Sequence, residues 1–138
     1  NIKLIMKNNV LKLVKYLYYF SLALIPILYL FPGSLIGYLL FGDLGKQPDF
    51  IPNPIGTSIN HALAFFYLAI MGLISQTIYK SFSQTVILLV SLSIVLELLH
   101  FYIPNRSFEL LDLFGNLLGT ILAVIIFVLY KSYKKNSL

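Results

Sequence analysis

Four apolar segments, each about twenty residues long, constrain the fold of this chain more than any other feature. They cover about residues 11–31, 60–79, 84–103 and 108–130. About 20 apolar residues in a helix cross a hydrocarbon core of roughly 30 Å, and only helices satisfy the backbone of an open chain there. Only 11% of the 138 residues are charged, against roughly 25% in soluble domains. We therefore predict an all-α integral membrane bundle of four transmembrane helices, formed by residues 1–138 as a single domain.

A shorter apolar segment follows the first span. Residues 33–42 would extend about 15 Å as a helix, which is too short to cross a bilayer. We predict an interfacial or partly re-entrant segment at this position. It is followed by a turn-rich loop, residues 43–56, that contains Pro48, Pro52 and Pro54.

Basic residues are distributed unevenly between the two ends of the predicted bundle. With the N-terminus in the cytoplasm, eight of the ten basic residues face the cytoplasm, and only Lys46 and Arg106 face outward. Because short cytoplasmic loops hold the excess of Lys and Arg, we predict a multi-pass protein of the cell membrane with both termini cytoplasmic. The basic residues flank apolar spans and form no soluble patch, so no nucleic-acid partner is predicted. The five acidic residues then lie in the outer half: Asp43, Asp49, Glu97, Glu109 and Asp112.

Polar residues occupy one face of each of the last three spans. At 100° per residue, the third span places three polar residues on one face: Ser93, Glu97 and His100. The fourth span does the same with Glu109, Asp112 and Asn116, and its stripe of Gly115, Gly119 and Ala123 indicates close helix packing. His61 leads a face of the second span. Because a carboxylate that faces lipid is costly, we predict that these polar faces converge at the outer end of the bundle.

Two interpretations of this convergence remain open. In the first, Glu97 and His100 form a hydrogen-bonded pair that holds helices together through Asn116, at about 1 kcal/mol per contact. In the second, the polar groups form a binding or catalytic pocket together with Arg106, whose planar guanidinium suits a phosphate or carboxylate.

Metal and thiol chemistry receive little support from the sequence. The chain has no cysteine, which excludes zinc-thiolate sites and thiol nucleophiles. Two histidines and two acids could supply metal ligands, but the histidines lie on separate helices and no His-x-x-x-His pair occurs. We therefore predict neither a metal nor a cofactor.

Three motifs lie on the last three spans: His61-Ala-Leu-Ala-Phe-Phe66, then Glu97-Leu-Leu-His-Phe-Tyr-Ile-Pro-Asn-Arg106, then Asp112-Leu-Phe-Gly-Asn116 with Gly119. Together they resemble the VanZ-like family of small multi-pass membrane proteins. In that family a His opens an aromatic helix, and Glu-x-x-Gln leads through Pro and Arg to Asp-x-x-x-Asn-x-x-Gly. This chain departs from the pattern in two places. Thr57 and Ser58 replace an Asp-Lys pair, and His100 replaces the Gln.

The resemblance implies a cell-envelope protein, because some members of the family are linked to glycopeptide resistance. We predict an outward-facing polar pocket that binds or modifies an anionic lipid or a cell-envelope precursor. The candidate catalytic residues are Glu97, His100 and Asp112, and the candidate ligand-binding residues are His61, Arg106 and Asn116. The alternative is a non-catalytic accessory subunit that packs against a larger membrane complex. The sequence leaves open whether a reaction is catalysed.

Overall fold

The computed structural model describes residues 2–49, 51–52, 56–75 and 81–136, with side chains from residue 6 onward. These residues form five α-helices and no strand: α1 (Ile2–Tyr29), α2 (Leu35–Phe41), α3 (Gly56–Ser75), α4 (Phe82–Leu99) and α5 (Leu110–Asn136). A 3₁₀ turn, His100–Tyr102, continues from α4. All helices except α2 are long and apolar enough to cross a membrane. The prediction of an all-α bundle with four membrane-spanning helices is therefore confirmed.

Some ends of the long helices lie past the limits predicted from hydropathy. The first begins at Ile2 rather than near residue 11, the second at Gly56 rather than near residue 60, and the last continues to Asn136. Other ends fall short of the prediction, and α4 ends at Leu99 rather than near residue 103. An apolar run marks the part of a helix that suits lipid, whereas backbone hydrogen bonds continue through the polar turns on either side. The predicted end of the second span, Tyr79, lies outside the described residues.

Helix α3 is the centre of the bundle and packs against α1, α4 and α5. Its approach to α5 is especially close because α5 presents glycines there. A Cβ atom on Gly119 would collide with the carbonyl oxygen of Ala62, and one on Gly115 would collide with that of Ser58. The small-residue stripe therefore has the packing role predicted for it. It brings the first turns of α3 and α5 together.

The short helix α2 is closed at both ends by local contacts. The Ser34 side chain accepts a hydrogen bond from the Gly37 amide at 2.9 Å, and Gly42 ends the helix with a left-handed φ of 69°. The following loop folds back, so that the Ser34 amide donates to the Leu44 carbonyl at 2.7 Å. The apolar residues of α2 that remain exposed are Ile36, Tyr38, Leu39, Leu40 and Phe41. A short helix with an exposed apolar face fits the predicted interfacial position.

Two small apolar clusters form the core. The first joins Tyr18 to Leu68, Leu89 and Ala123, and the second consists of Tyr29, Phe65 and Leu96. Beyond the second cluster, polar side chains replace apolar ones. This occurs where α1 and α4 finish and where α3 and α5 begin, and we call this region the polar end of the bundle.

Candidate functional site

The structure brings all six predicted site residues to the polar end. Five of them are buried, and Glu97 and Asn116 have no exposed surface. Arg106, in the loop between α4 and α5, is partly exposed. Glu97 faces polar groups inside the bundle, as the cost of placing a carboxylate against lipid predicts. The buried members of the set are His61, Glu97, His100, Asp112 and Asn116.

Glu97 and His100 join three helices. Glu97 Oε1 lies 3.3 Å from His100 Nδ1 and accepts a hydrogen bond from the Glu109 amide at 2.9 Å. His100 Nε2 lies 3.1 Å from the carbonyl oxygen of Tyr29, at the end of α1. Because a carbonyl can only accept, Nε2 must carry the hydrogen. The pair therefore ties the end of α4 to the beginning of α5 and to the end of α1. The pair therefore joins helices, but through Tyr29 and Glu109 and not through Asn116 as the first interpretation had it. A chemical role for the pair stays a prediction.

Arg106 returns from the α4–α5 loop to the segment that follows α1. Asn105, immediately before it, has a left-handed φ of 60°. The guanidinium donates through Nε to the Phe31 carbonyl at 3.2 Å and through Nη2 to the Gly33 carbonyl at 2.7 Å. Three of its five N–H donors have no acceptor among the described residues. Burial lowers the pKa of the guanidinium below its ordinary value, but arginine stays charged. A cation with unused donors is therefore held rigidly in place.

Asp112 lies between two side chains of α3. Ser58 Oγ donates to Asp112 Oδ1 at 2.6 Å, and His61 Nδ1 lies 3.7 Å from Asp112 Oδ2. The close packing at Gly115 is what brings these residues of α3 and α5 together.

Sequence reasoning missed Tyr29, which connects several of the predicted residues. Its hydroxyl donates to Asn116 Oδ1, and its carbonyl accepts from His100. Its ring lies 4.4 Å from the His61 ring, measured between centroids. Tyr29 is the last residue of α1 and lies at the same depth as the other site residues. This position was the only feature of the sequence that could have identified Tyr29 as part of the site.

A cavity of about 550 Å³ opens at the polar end, between α1, α2, α3 and the segment 47–49. Most of its wall is apolar, and a smaller part of it is polar. The apolar part includes Ile25 and Leu28 of α1 together with Leu63 and Ala64 of α3. The polar side chains in the wall include Tyr29, Gln47, Asp49, Asn60, His61 and Arg106.

The cavity divides the predicted site residues into two groups. His61 and Arg106 line it, whereas Glu97, His100, Asp112 and Asn116 are not among its lining residues. Instead of sharing one open polar space, these four each contact groups from neighbouring elements in a packed layer. Within the part of the chain that the structure describes, no three His, Asp or Glu side chains are arranged to hold a metal ion.

Comparisons of the chain with protein-family models, with curated proteins and with solved structures found no match. The resemblance to VanZ-like proteins therefore stays a hypothesis that rests on the motif residues themselves. The geometry of the cavity is the observation from which a function can be argued.

Proposed function

We propose that this protein binds a membrane amphiphile with an anionic group in its headgroup, either a lipid or a lipid-linked envelope precursor. The observation that carries the proposal is the division of the cavity wall into a polar part and an apolar part. Its volume of about 550 Å³ falls in the range of roughly 300–1,000 Å³ that is typical of small-molecule sites.

The two parts of the wall follow the axis of the bundle. On α1, Ile25 lies about 6 Å deeper than Tyr29, and on α3, Ala64 lies about 4.5 Å deeper than His61, at 1.5 Å per residue. On α1 and α3 the polar groups Tyr29 and His61 are thus nearer the end of the bundle than the apolar groups Ile25 and Ala64. An amphiphile in a bilayer has the same order of groups along the same direction.

Arg106 supplies the contact for the anionic group. It lines the cavity, it is held by two carbonyl oxygens, and no carboxylate of the described residues lies within 4.0 Å of its nitrogens. Three free N–H donors on a fixed guanidinium suit a phosphate or carboxylate oxygen. His61 lines the same cavity, with Asp112 behind it. The motif resemblance to VanZ-like proteins supports a role at the cell envelope.

The test is whether the purified protein retains lipid in this cavity. We would measure bound lipid by native mass spectrometry after detergent exchange of the wild type and of Ala64→Phe. The larger ring fills the apolar part of the cavity without altering any charged group. Ala23→Phe, on an exposed position of α1, adds the same ring outside the cavity and serves as the control.

We expect the wild type and Ala23→Phe to retain one lipid and Ala64→Phe to lose it. If Ala64→Phe retained as much lipid as the wild type, the lipid would bind outside this cavity and the proposal would be refuted. A wild type that retains no lipid would also refute it. If a larger membrane protein then co-purified in equal amount, the accessory-subunit function would replace it.

A further inference from the structure

The wall of the cavity carries charges of both signs, and these charges do not neutralise each other. Arg106 and Asp49 both line it. Among the described residues, no carboxylate lies within 4.0 Å of an Arg106 nitrogen, and no Lys, Arg or His nitrogen lies within that distance of Asp49. A cavity with apolar walls screens charges less than open water does. Both charges are therefore available to a ligand.

Asn60 holds the Asp49 carboxylate in position. Its Nδ2 donates to Asp49 Oδ1 at 2.9 Å and to the Pro48 carbonyl at 3.2 Å. These two acceptors set the orientation of the amide, because a flipped amide would turn Oδ1 toward them. Asn60 Oδ1 is buried and has no donor among the described residues. This oxygen has almost no accessible surface, so a ligand in the cavity does not reach it, and the role of Asn60 is to hold the Asp49 carboxylate in place.

Asp49 thus forms an acceptor subsite, which lies in the same cavity as the donor subsite of Arg106. Its carboxylate suits a group that has both a positive charge and N–H donors. A primary ammonium has both properties. A quaternary ammonium has the charge but no hydrogen to donate, so it would form no charge-assisted hydrogen bond with Asp49.

Building on the proposed lipid-binding function, we infer that the ligand is a zwitterionic phospholipid whose headgroup carries a phosphate and a primary ammonium. The phosphate is bound by Arg106. The ammonium is bound by the Asp49 carboxylate. The acyl chain follows the apolar wall toward Ile25 and Ala64. Recognition of both charges restricts the site more than recognition of an anion alone.

Competition between three lipids with the same acyl chains tests this inference. The probes are phosphatidylethanolamine, phosphatidylcholine and phosphatidylglycerol, mixed in equal amounts with the purified full chain, and the retained lipid is identified by native mass spectrometry. We expect phosphatidylethanolamine to be retained over each competitor by about tenfold, the factor that one charge-assisted hydrogen bond supplies. Wild type that retains phosphatidylglycerol or phosphatidylcholine equally well would overturn the inference.

A matched pair of variants identifies the residue responsible. Asp49→Asn removes the charge but keeps an oxygen that can accept from Asn60, and it should abolish the tenfold preference over phosphatidylglycerol. Asp43→Asn removes the same charge from the same loop at a residue that does not line the cavity, and it should leave the preference unchanged. An unchanged preference in folded Asp49→Asn would also overturn the inference.

The two proposals fail in different ways. Loss of all lipid binding by the wild type removes the proposed function and this inference together. If Ala64→Phe loses the bound lipid but the wild type shows no preference for phosphatidylethanolamine, the proposed function stands. Only the zwitterionic ligand is then refuted. If Asp49→Asn does not fold, the ranking of the three lipids by the wild type still decides the question.

Discussion

Replacing Glu97 by leucine should destabilise the bundle much more than replacing it by glutamine. Glu97 Oε1 accepts from the Glu109 amide and lies 3.3 Å from His100 Nδ1, while its side chain has no exposed surface. Leucine fills a similar volume but removes the acceptor from both partners. Glutamine keeps an oxygen for the Glu109 amide, removes the charge, and puts an NH2 group in place of Oε2, which has no hydrogen-bond partner among the described residues.

The expected magnitudes follow from the two partners. A buried polar group left without its partner costs about 1–3 kcal/mol, and two such groups give about 2–6 kcal/mol for Glu97→Leu. Residue Glu109 is exposed, so water compensates part of the loss at its amide, and we expect about 2–4 kcal/mol. For Glu97→Gln we expect about 1 kcal/mol, the difference between a charged and a neutral acceptor.

The assay is reversible unfolding by sodium dodecyl sulfate in mixed micelles, followed by far-ultraviolet circular dichroism. Glu109→Gln is the control, because it removes a carboxylate of the same kind from an exposed position one turn before Asp112. Equal stabilities of Glu97→Leu and Glu97→Gln would refute the reasoning. The same variants also separate the two interpretations of Glu97. Since Glu97 does not line the cavity, folded Glu97→Gln should retain lipid. Loss of lipid from folded Glu97→Gln would instead support the pocket interpretation.

Two further predictions concern packing and orientation. Gly119→Ala should destabilise the same preparation by about 1–3 kcal/mol, because the new Cβ meets the backbone of Ala62 rather than a side chain that can move. As a control, Gly45→Ala in the exposed loop should change stability by less than about 0.5 kcal/mol. Equal effects of the two variants would contradict the close crossing of α3 and α5. Because the chain has no native thiol, single introduced cysteines report its topology without background labelling. Lys46→Cys should react with an impermeant maleimide in intact cells, and Ser132→Cys should react only after permeabilisation. The opposite pattern would reverse the proposed orientation.

The candidate site shows which contacts helical periodicity can predict and which it cannot. The spacing of Glu97 and His100 placed them on one face of the third span, and the structure has them in contact. Burial of Asp112 and Asn116 followed from the same rule applied to the fourth span. Periodicity relates residues of a single helix to one another. It does not show which residue on another helix each of them will meet.

Membrane spans, their number and the short helix between the first two could be read from the sequence because they depend on the length of each apolar run. That property is local, and so is the phase of polar residues along one helix. The cavity is not local. It requires Arg106 to reach the Phe31 carbonyl, 75 residues away, and it requires the segment around Asp49 to fold against Asn60. Only the tertiary structure could place His61 and Arg106 in the wall and Glu97 behind it, because rotation of each helix and the path of each loop are decided by packing between distant parts of the chain.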